Sequence, residues 1–189
     1  MIRIKFVLIS LFFLTLCIDT QAQNFNLNKT QSKLIVKGTS SLHDWYIEAT
    51  DMSGEINFDL DSVLHIKKLT FEVRVAGLKG DKKGMLKKMR NTLQANKFGT
   101  IRYQFKKAAK IIRLNNREFS LQTTGNLTIA GVSRQIALKF FLTFRDGSVT
   151  VVGDKKFKMS DYNIKPPKAL FGMLKTADDI KVNFYVLYQ

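Results

Sequence analysis

The sequence contains few of the residues that build disulfides, metal centres and nucleophilic sites. Of 189 residues, one is cysteine, two are histidine and two are proline. The cysteine, Cys17, lies in an N-terminal segment that we expect to be removed, so the rest of the chain must rely on its own core rather than on disulfides. The two histidines, His43 and His65, are isolated and lack the spacing of a zinc site. We therefore predict no metal site.

A Ser/His/Asp cluster at Ser40, His43 and Asp44 is the most obvious enzymatic interpretation. Neighbouring residues of an extended strand point to opposite faces, so His43 and Asp44 do not readily face one another. No nucleophile-elbow context surrounds the serine. Glycines at 77, 80 and 84 match neither the dinucleotide-binding nor the P-loop spacing. We predict no catalytic residues and a protein that is not an enzyme.

Residues 1–22 have the features of a secretory signal peptide. Two basic residues precede an apolar run from Phe6 to Ile18, and a small residue, Ala22, follows at the expected cleavage position. The run is shorter than the roughly 20 residues that a membrane-spanning helix needs. A buried N-terminal helix and an uncleaved anchor are the alternatives. We expect a soluble mature domain at 23–189 that is periplasmic or secreted.

The chain carries a formal net charge of +16, which favours anionic partners. Export and the even spread of basic residues argue against nucleic acid. An anionic membrane surface or a phosphorylated lipid fits an exported protein better, and residues 79–97 are locally basic. The sequence leaves open whether the protein forms a homodimer.

Apolar and polar residues alternate with a period of two along much of the chain, which indicates strands with one apolar face. Turn signals such as Asp146-Gly147 separate the alternating runs. We therefore predict an all-β fold of about eight to nine antiparallel strands that must close or stack to protect their edges. The clearest runs are 68–75, 101–106, 136–145 and 180–188, and shorter ones are 33–39, 44–50, 53–60, 117–130 and 147–158.

One segment, from Lys82 to Asn96, has helical rather than strand spacing. Asp81 is a plausible N-cap, and the polar face is rich in lysine. We predict one amphipathic helix laid against or across the barrel. Its apolar stripe is either core packing or an adaptable wall for apolar guests, because methionine is flexible. The stripe comprises Met85, Leu86, Met89 and Leu93.

A barrel of this size is either filled by its own side chains or able to hold one ligand. If it is hollow, the inward strand faces line a tunnel for a long apolar lipid. The mouth would then include Met85, Met89 and Phe171, with His43 and Trp45 near a ligand headgroup. The predicted tunnel wall comprises Phe71, Val73, Tyr103, Phe105, Leu127, Ile129, Leu138, Phe140, Phe184 and Val186.

Residues 125–133, with the sequence GNLTIAGVS, resemble the strand-turn-strand signature of the YceI-like family. Residues 38–45 and 158–172 resemble a subgroup of the family, and the helix followed by residues 98–105 sits where the family has its helix. The similarity covers essentially the whole chain after residue 22.

The resemblance implies an extended, lipocalin-like antiparallel β-barrel exported to the periplasm. It also implies a non-catalytic carrier or sequestering protein for a polyisoprenoid, either a quinone tail or a polyprenyl phosphate. No cofactor other than such a bound lipid is expected. The alternative function is that of a filled, ligand-free barrel acting as a basic surface-binding or stress-related structural protein.

Overall fold

The computed structural model describes residues 23–60, 63–80, 83–169 and 173–189, which form one curled antiparallel sheet and one α-helix. The predicted signal peptide and Asp81 lie outside the described residues, as does Phe171. The helix, α1, is Lys83–Thr92. The strands are β1 Gln23–Asn26, β2 Lys33–Ser40, β3 Asp44–Ala49, β4 Met52–Leu60, β5 Leu64–Arg74, β6 Leu78–Lys79, β7 Thr100–Arg113, β8 Glu118–Ile129, β9 Val132–Arg145, β10 Ser148–Lys158, β11 Lys168–Ala169 and β12 Leu174–Tyr188.

The sheet returns on itself to form a barrel. Its hydrogen-bonded order is β1-β4-β5-β7-β8-β9-β10-β12-β2-β3-β6, with β11 paired to β12. Leu27, just after β1, forms a bridge with Tyr188 of β12. The Asn26 amide donates to the Gln189 carbonyl at 3.0 Å, and the Gln189 amide donates back at 2.9 Å. These bonds join the first strand to the last and so protect both edges at this end.

The predicted fold class is confirmed, and the strand count is slightly different. The four clearest alternating runs fall in long strands, β5, β7, β9 and β12, except that the first run ends at Val75, which begins a 3₁₀ turn after β5. Three further strands, β1, β6 and β11, have only four, two and two residues. Segments this short contain no more than two residues per face, so alternation does not reveal them.

Helix α1 is shorter than its apolar spacing predicts. It ends at Thr92 instead of Asn96, because Gln94 adopts a left-handed conformation with φ of 52°. Residues 93–97 continue as hydrogen-bonded turns. Within the described residues, no helix is long and apolar enough to cross a membrane.

One end of the barrel is filled by its own side chains. Phe58 stacks on Phe25 with ring centroids 5.5 Å apart, and Phe144 contacts both Phe58 and Phe119 edge-on. Edge-to-face and stacked ring pairs pack densely and add to the stabilisation from burial. Fully buried aliphatic side chains complete this filled end: Ile56, Leu121, Leu142 and Val149.

Two further apolar clusters lie toward the opposite end. One joins β2, β3 and β5 and is covered by Met85, Met89 and Leu93 of the helical segment. The other packs Met159 and Tyr162 of a short 3₁₀ turn against Ile129. The space between these clusters is not filled.

Candidate apolar ligand cavity

A cavity of about 660 Å³ occupies the barrel interior at the end opposite the filled one. Its wall is built from inward positions of strands on all sides, because each strand alternates inward apolar and outward polar residues. The interior is thus hollow at one end and filled at the other. Strand side chains predicted for the tunnel wall that do line the cavity are Phe71, Val73, Tyr103, Leu127, Ile129, Leu138, Phe140, Phe184 and Val186.

Two predicted residues do not contribute to the described wall. Phe105 is half-buried and packs against the filled cluster instead of lining the cavity. It lies one inward position beyond Tyr103, toward the filled end, and a β-bulge follows it in β7. Phe171 lies outside the described residues, so its place at the mouth stays a prediction.

The helical segment forms one side of the mouth. Met85, Met89 and Leu93 line the cavity and also pack against the buried cluster beneath the helix. These side chains thus both pack on the core and border the cavity, and contact with an apolar guest stays a prediction for them. Their flexible thioethers can adjust to guests of different shape.

The two residues predicted near a headgroup, His43 and Trp45, also line the cavity. The Trp45 indole N–H donates to the Thr39 carbonyl at 3.2 Å, and its ring covers Gly38, where a Cβ would overlap the indole. The His43 Nδ1 atom lies 2.8 Å from the Asp44 carbonyl oxygen. These bonds hold both rings at the rim, and headgroup contact remains a prediction for them.

Three hydroxyl groups lie where the cavity meets the filled end. The hydroxyls of Tyr103 and Thr123 lie 3.4 Å apart, and Thr123 donates to the Leu138 carbonyl at 3.1 Å. Tyr188 donates to the Thr70 carbonyl at 3.3 Å. Burial raises the pKa of both tyrosines, and the Thr123 bond offsets part of this for Tyr103. The cavity floor is therefore uncharged, and its polar atoms have partners.

Four lysines that were not predicted as site residues also line the cavity. Lys155 stands on β10 at an inward position, between Gly153 and Phe157, and is half-buried. The pattern of β10 contains this signal, because Val149, Val151 and Phe157 share its phase. From the sequence, no role was assigned to Lys155, and among these lysines only Lys88 lies in the basic stretch 79–97 for which an anionic partner was expected. The others are Lys88, Lys168 and Lys175.

The described residues contain no group of three or more histidine, cysteine, aspartate or glutamate side chains arranged to hold a metal ion. Chemically, the site offers an apolar surface, a few hydroxyls and positive charge. This combination suits binding of a tail with a polar end.

A family model described as the YceI-like domain matches residues 25–187. No curated protein matches the sequence significantly.

Several solved structures have the same fold. A polyisoprenoid-binding domain from Saccharophagus degradans, implicated in plant cell wall breakdown, is 12% identical with a TM-score of 0.69, covering 87% of this chain and 97% of its own. Burkholderia cenocepacia BcnA is 14% identical with a TM-score of 0.66, covering 85% and 98%. The Campylobacter jejuni YceI protein is 24% identical with a TM-score of 0.57, covering 75% and 82%.

Proposed function

Because the chain belongs to the YceI-like domain family, we propose that it is an exported, non-catalytic protein that carries or sequesters a long apolar lipid. The lipid is a polyisoprenoid, and its tail occupies the barrel cavity. The observation that carries this proposal is the 660 Å³ apolar cavity, which lies within the range of about 300–1,000 Å³ typical of small-molecule sites. The similar fold of a polyisoprenoid-binding domain supports it.

Burial of apolar ligand surface supplies the affinity. Each methylene moved from water into the cavity contributes about 0.8 kcal/mol, against the cost of immobilising the lipid. No specific hydrogen bond is needed for the tail itself, since the wall is mostly Phe, Leu, Ile and Val. Such a site selects for tail shape and length more than for tail chemistry. The end of a chain too long for the cavity leaves through the mouth.

The first test is native mass spectrometry of the full chain purified after expression in an exporting bacterial host. We expect a co-purified lipid of isoprenoid mass, and a polypeptide that begins at Gln23 after removal of residues 1–22. Repeated recovery of empty protein that takes up neither farnesol nor a longer prenyl alcohol would instead support the ligand-free, surface-acting alternative. A polypeptide retaining residue 1 would overturn the signal-peptide assignment.

A second test blocks the cavity without disturbing the filled end. Leu138→Trp places a bulky ring at an inward, half-buried position that faces empty space, so we expect a native fold and at least ten-fold weaker prenyl alcohol binding. The matched control is Leu114→Trp, at an exposed position after β7, which should bind like the wild type. Undiminished binding in a folded Leu138→Trp protein would place the ligand elsewhere.

A further inference from the structure

A lysine stands in the inner wall of an otherwise apolar barrel. Along β10 the inward positions are Val149, Val151, Gly153, Lys155 and Phe157, and Lys155 pairs with the inward Val182 of β12. Lysine rarely occupies such a position, because moving an ammonium group out of water without a partner is unfavourable. Its half-buried stem suits the apolar wall, because a lysine can cover apolar surface with its methylenes while its charged end stays in water.

No acidic side chain compensates this charge among the described residues that line the cavity. The acidic neighbour in sequence, Asp154, points to the opposite face and pairs there with Lys181. None of the ion pairs formed within the described residues includes Lys155 or the mouth lysines. The cavity therefore has an excess of positive charge beside an apolar interior. Three more lysines add to it: Lys88 from α1, Lys168 from β11 and Lys175 from β12.

We propose that Lys155 binds the anionic end of a single-tailed lipid whose tail fills the cavity, and that the three mouth lysines assist it. The anion is a phosphate or a carboxylate, since either accepts charge-assisted hydrogen bonds from an ammonium group. This inference rests on the proposed lipid-binding function and narrows its ligand class. A neutral headgroup leaves the lysine charge uncompensated, so the site discriminates against it.

The tail and the anion are recognised by separate parts of the site. The apolar wall, which includes Phe71 and Phe184, contacts the tail. Lys155 lies two residues beyond Gly153, which pairs with Phe140, and is therefore nearer the mouth than Phe140. An amphiphile thus enters tail first. Its charged end stops at the lysines, where water still reaches.

The test compares matched ligands that share a tail. Trp45, the only tryptophan of the chain, lines the mouth, so its fluorescence reports occupancy. The probes are farnesyl phosphate and farnesol, and palmitate and hexadecanol. In at least one pair, we expect the anion to bind about ten-fold more tightly than the alcohol. A difference of this size corresponds to the free energy of one charge-assisted hydrogen bond. The preference should shrink as salt is raised. If the anion is preferred only in the farnesyl pair, the group that Lys155 binds is a phosphate. If it is preferred only in the palmitate pair, the group is a carboxylate.

The variants are Lys155→Met and its neighbour Lys156→Met. Lys155→Met keeps the length of the stem and removes a partly buried charge, so it should fold, and its preference for anions should fall to within about two-fold. Lys156 points outward on the same strand, and its variant should keep the wild-type preference. Equal binding of anion and alcohol by the wild type, or a full preference in Lys155→Met, would overturn the role of Lys155. Failure of all four probes to bind would instead count against lipid binding as a whole.

Discussion

The hydroxyl group of Tyr162 is buried and makes no hydrogen bond within the described part of the chain. Its ring packs edge-on against Phe157, with centroids 5.4 Å apart. Burial, and next the nearby Asp161 carboxylate, raise the pKa of Tyr162 to about 12, while Arg134 opposes this shift. The side chain is thus held in its neutral form. Its buried hydroxyl group lowers the stability of the fold, because it has lost water and makes no hydrogen bond within the described part of the chain.

Tyr162→Phe is expected to leave stability at neutral pH unchanged or slightly higher, because it removes an unpaired polar group and keeps the ring packing. In the wild type, the unfolded chain loses the Tyr162 proton near pH 10 and the folded protein near pH 12. Stability from this group is therefore full below pH 10 and falls as the pH rises toward 12. Urea denaturation at several pH values measures the slope.

The control for this change is Tyr185→Phe, at an exposed ring on β12. It should keep the wild-type decline above pH 10, whereas Tyr162→Phe should decline less. The same slope in Tyr162→Phe as in the wild type would show that its hydroxyl does not contribute.

The direction of a side chain, into or out of the barrel, followed from the sequence where the alternation was long and regular. In β9, the phase of Leu138 and Phe140 places both side chains in the cavity wall as expected. The alternation in β10 places Lys155 at an inward position as well, but a lysine among inward apolar residues is normally assumed to be exposed to solvent. Its burial depends on the end of the barrel at which it lies, and a strand pattern does not contain that information.

At the scale of the elements, α1 depends on its docking. A ten-residue helix is marginal in isolation, and no acidic residue lies in its described first turn to favour its N-terminus. It is attached by the contact of Met85, Met89 and Leu93 with the cluster below and by a hydrogen bond from the Arg90 side chain to the Ala76 carbonyl at 3.1 Å. The stability of this part of the cavity wall therefore depends on tertiary contacts rather than on the helix itself.

Met89→Ser should weaken this docking and raise the hydrogen-exchange rates of the α1 amides by about ten-fold, while strand amides at the filled end stay protected. The matched control is Lys87→Ser, which makes a similar change in helix propensity on the exposed face of the same helix. We expect little change there beyond the intrinsic effect of serine. Equal effects of the two variants would mean that the methionine contact does not hold the helix.

The existence of the helix was predictable from its spacing, and its end was not. The apolar spacing continues through Leu93, but the left-handed Gln94 stops the helix. Glutamine carries no strong preference for that conformation, so the residue type does not mark the end of the helix. Short strands such as β6 are likewise defined by their partners, here Glu48 and Ala49 of β3.

At the scale of the whole molecule, the barrel divides into a filled end and a hollow end. Alternation identifies which side chains point inward, but it does not tell whether opposing side chains meet at the axis. The rings of Phe25, Phe58, Phe119 and Phe144 close one end. The other end, with side chains of similar size, keeps a cavity.

This division predicts that the same substitution, leucine to alanine, lowers the free energy of unfolding by different amounts at two positions of β9. Leu142 is fully buried in the filled end, so Leu142→Ala should lower the free energy of unfolding by about 2–5 kcal/mol. Leu138 already borders empty space, so Leu138→Ala should cost about 1 kcal/mol in lipid-free protein. Urea denaturation of delipidated protein measures both. Equal costs would mean that the cavity collapses in the absence of lipid.

The filled end has a consequence for traffic through the molecule. Because one end of the barrel is filled by side chains, a ligand enters and leaves the cavity through the same opening. If the proposed lipid binds tail first, it must leave tail last, before another can enter. A partner that supplies the lipid and one that accepts it would then both have to approach the hollow end of the barrel, one after the other.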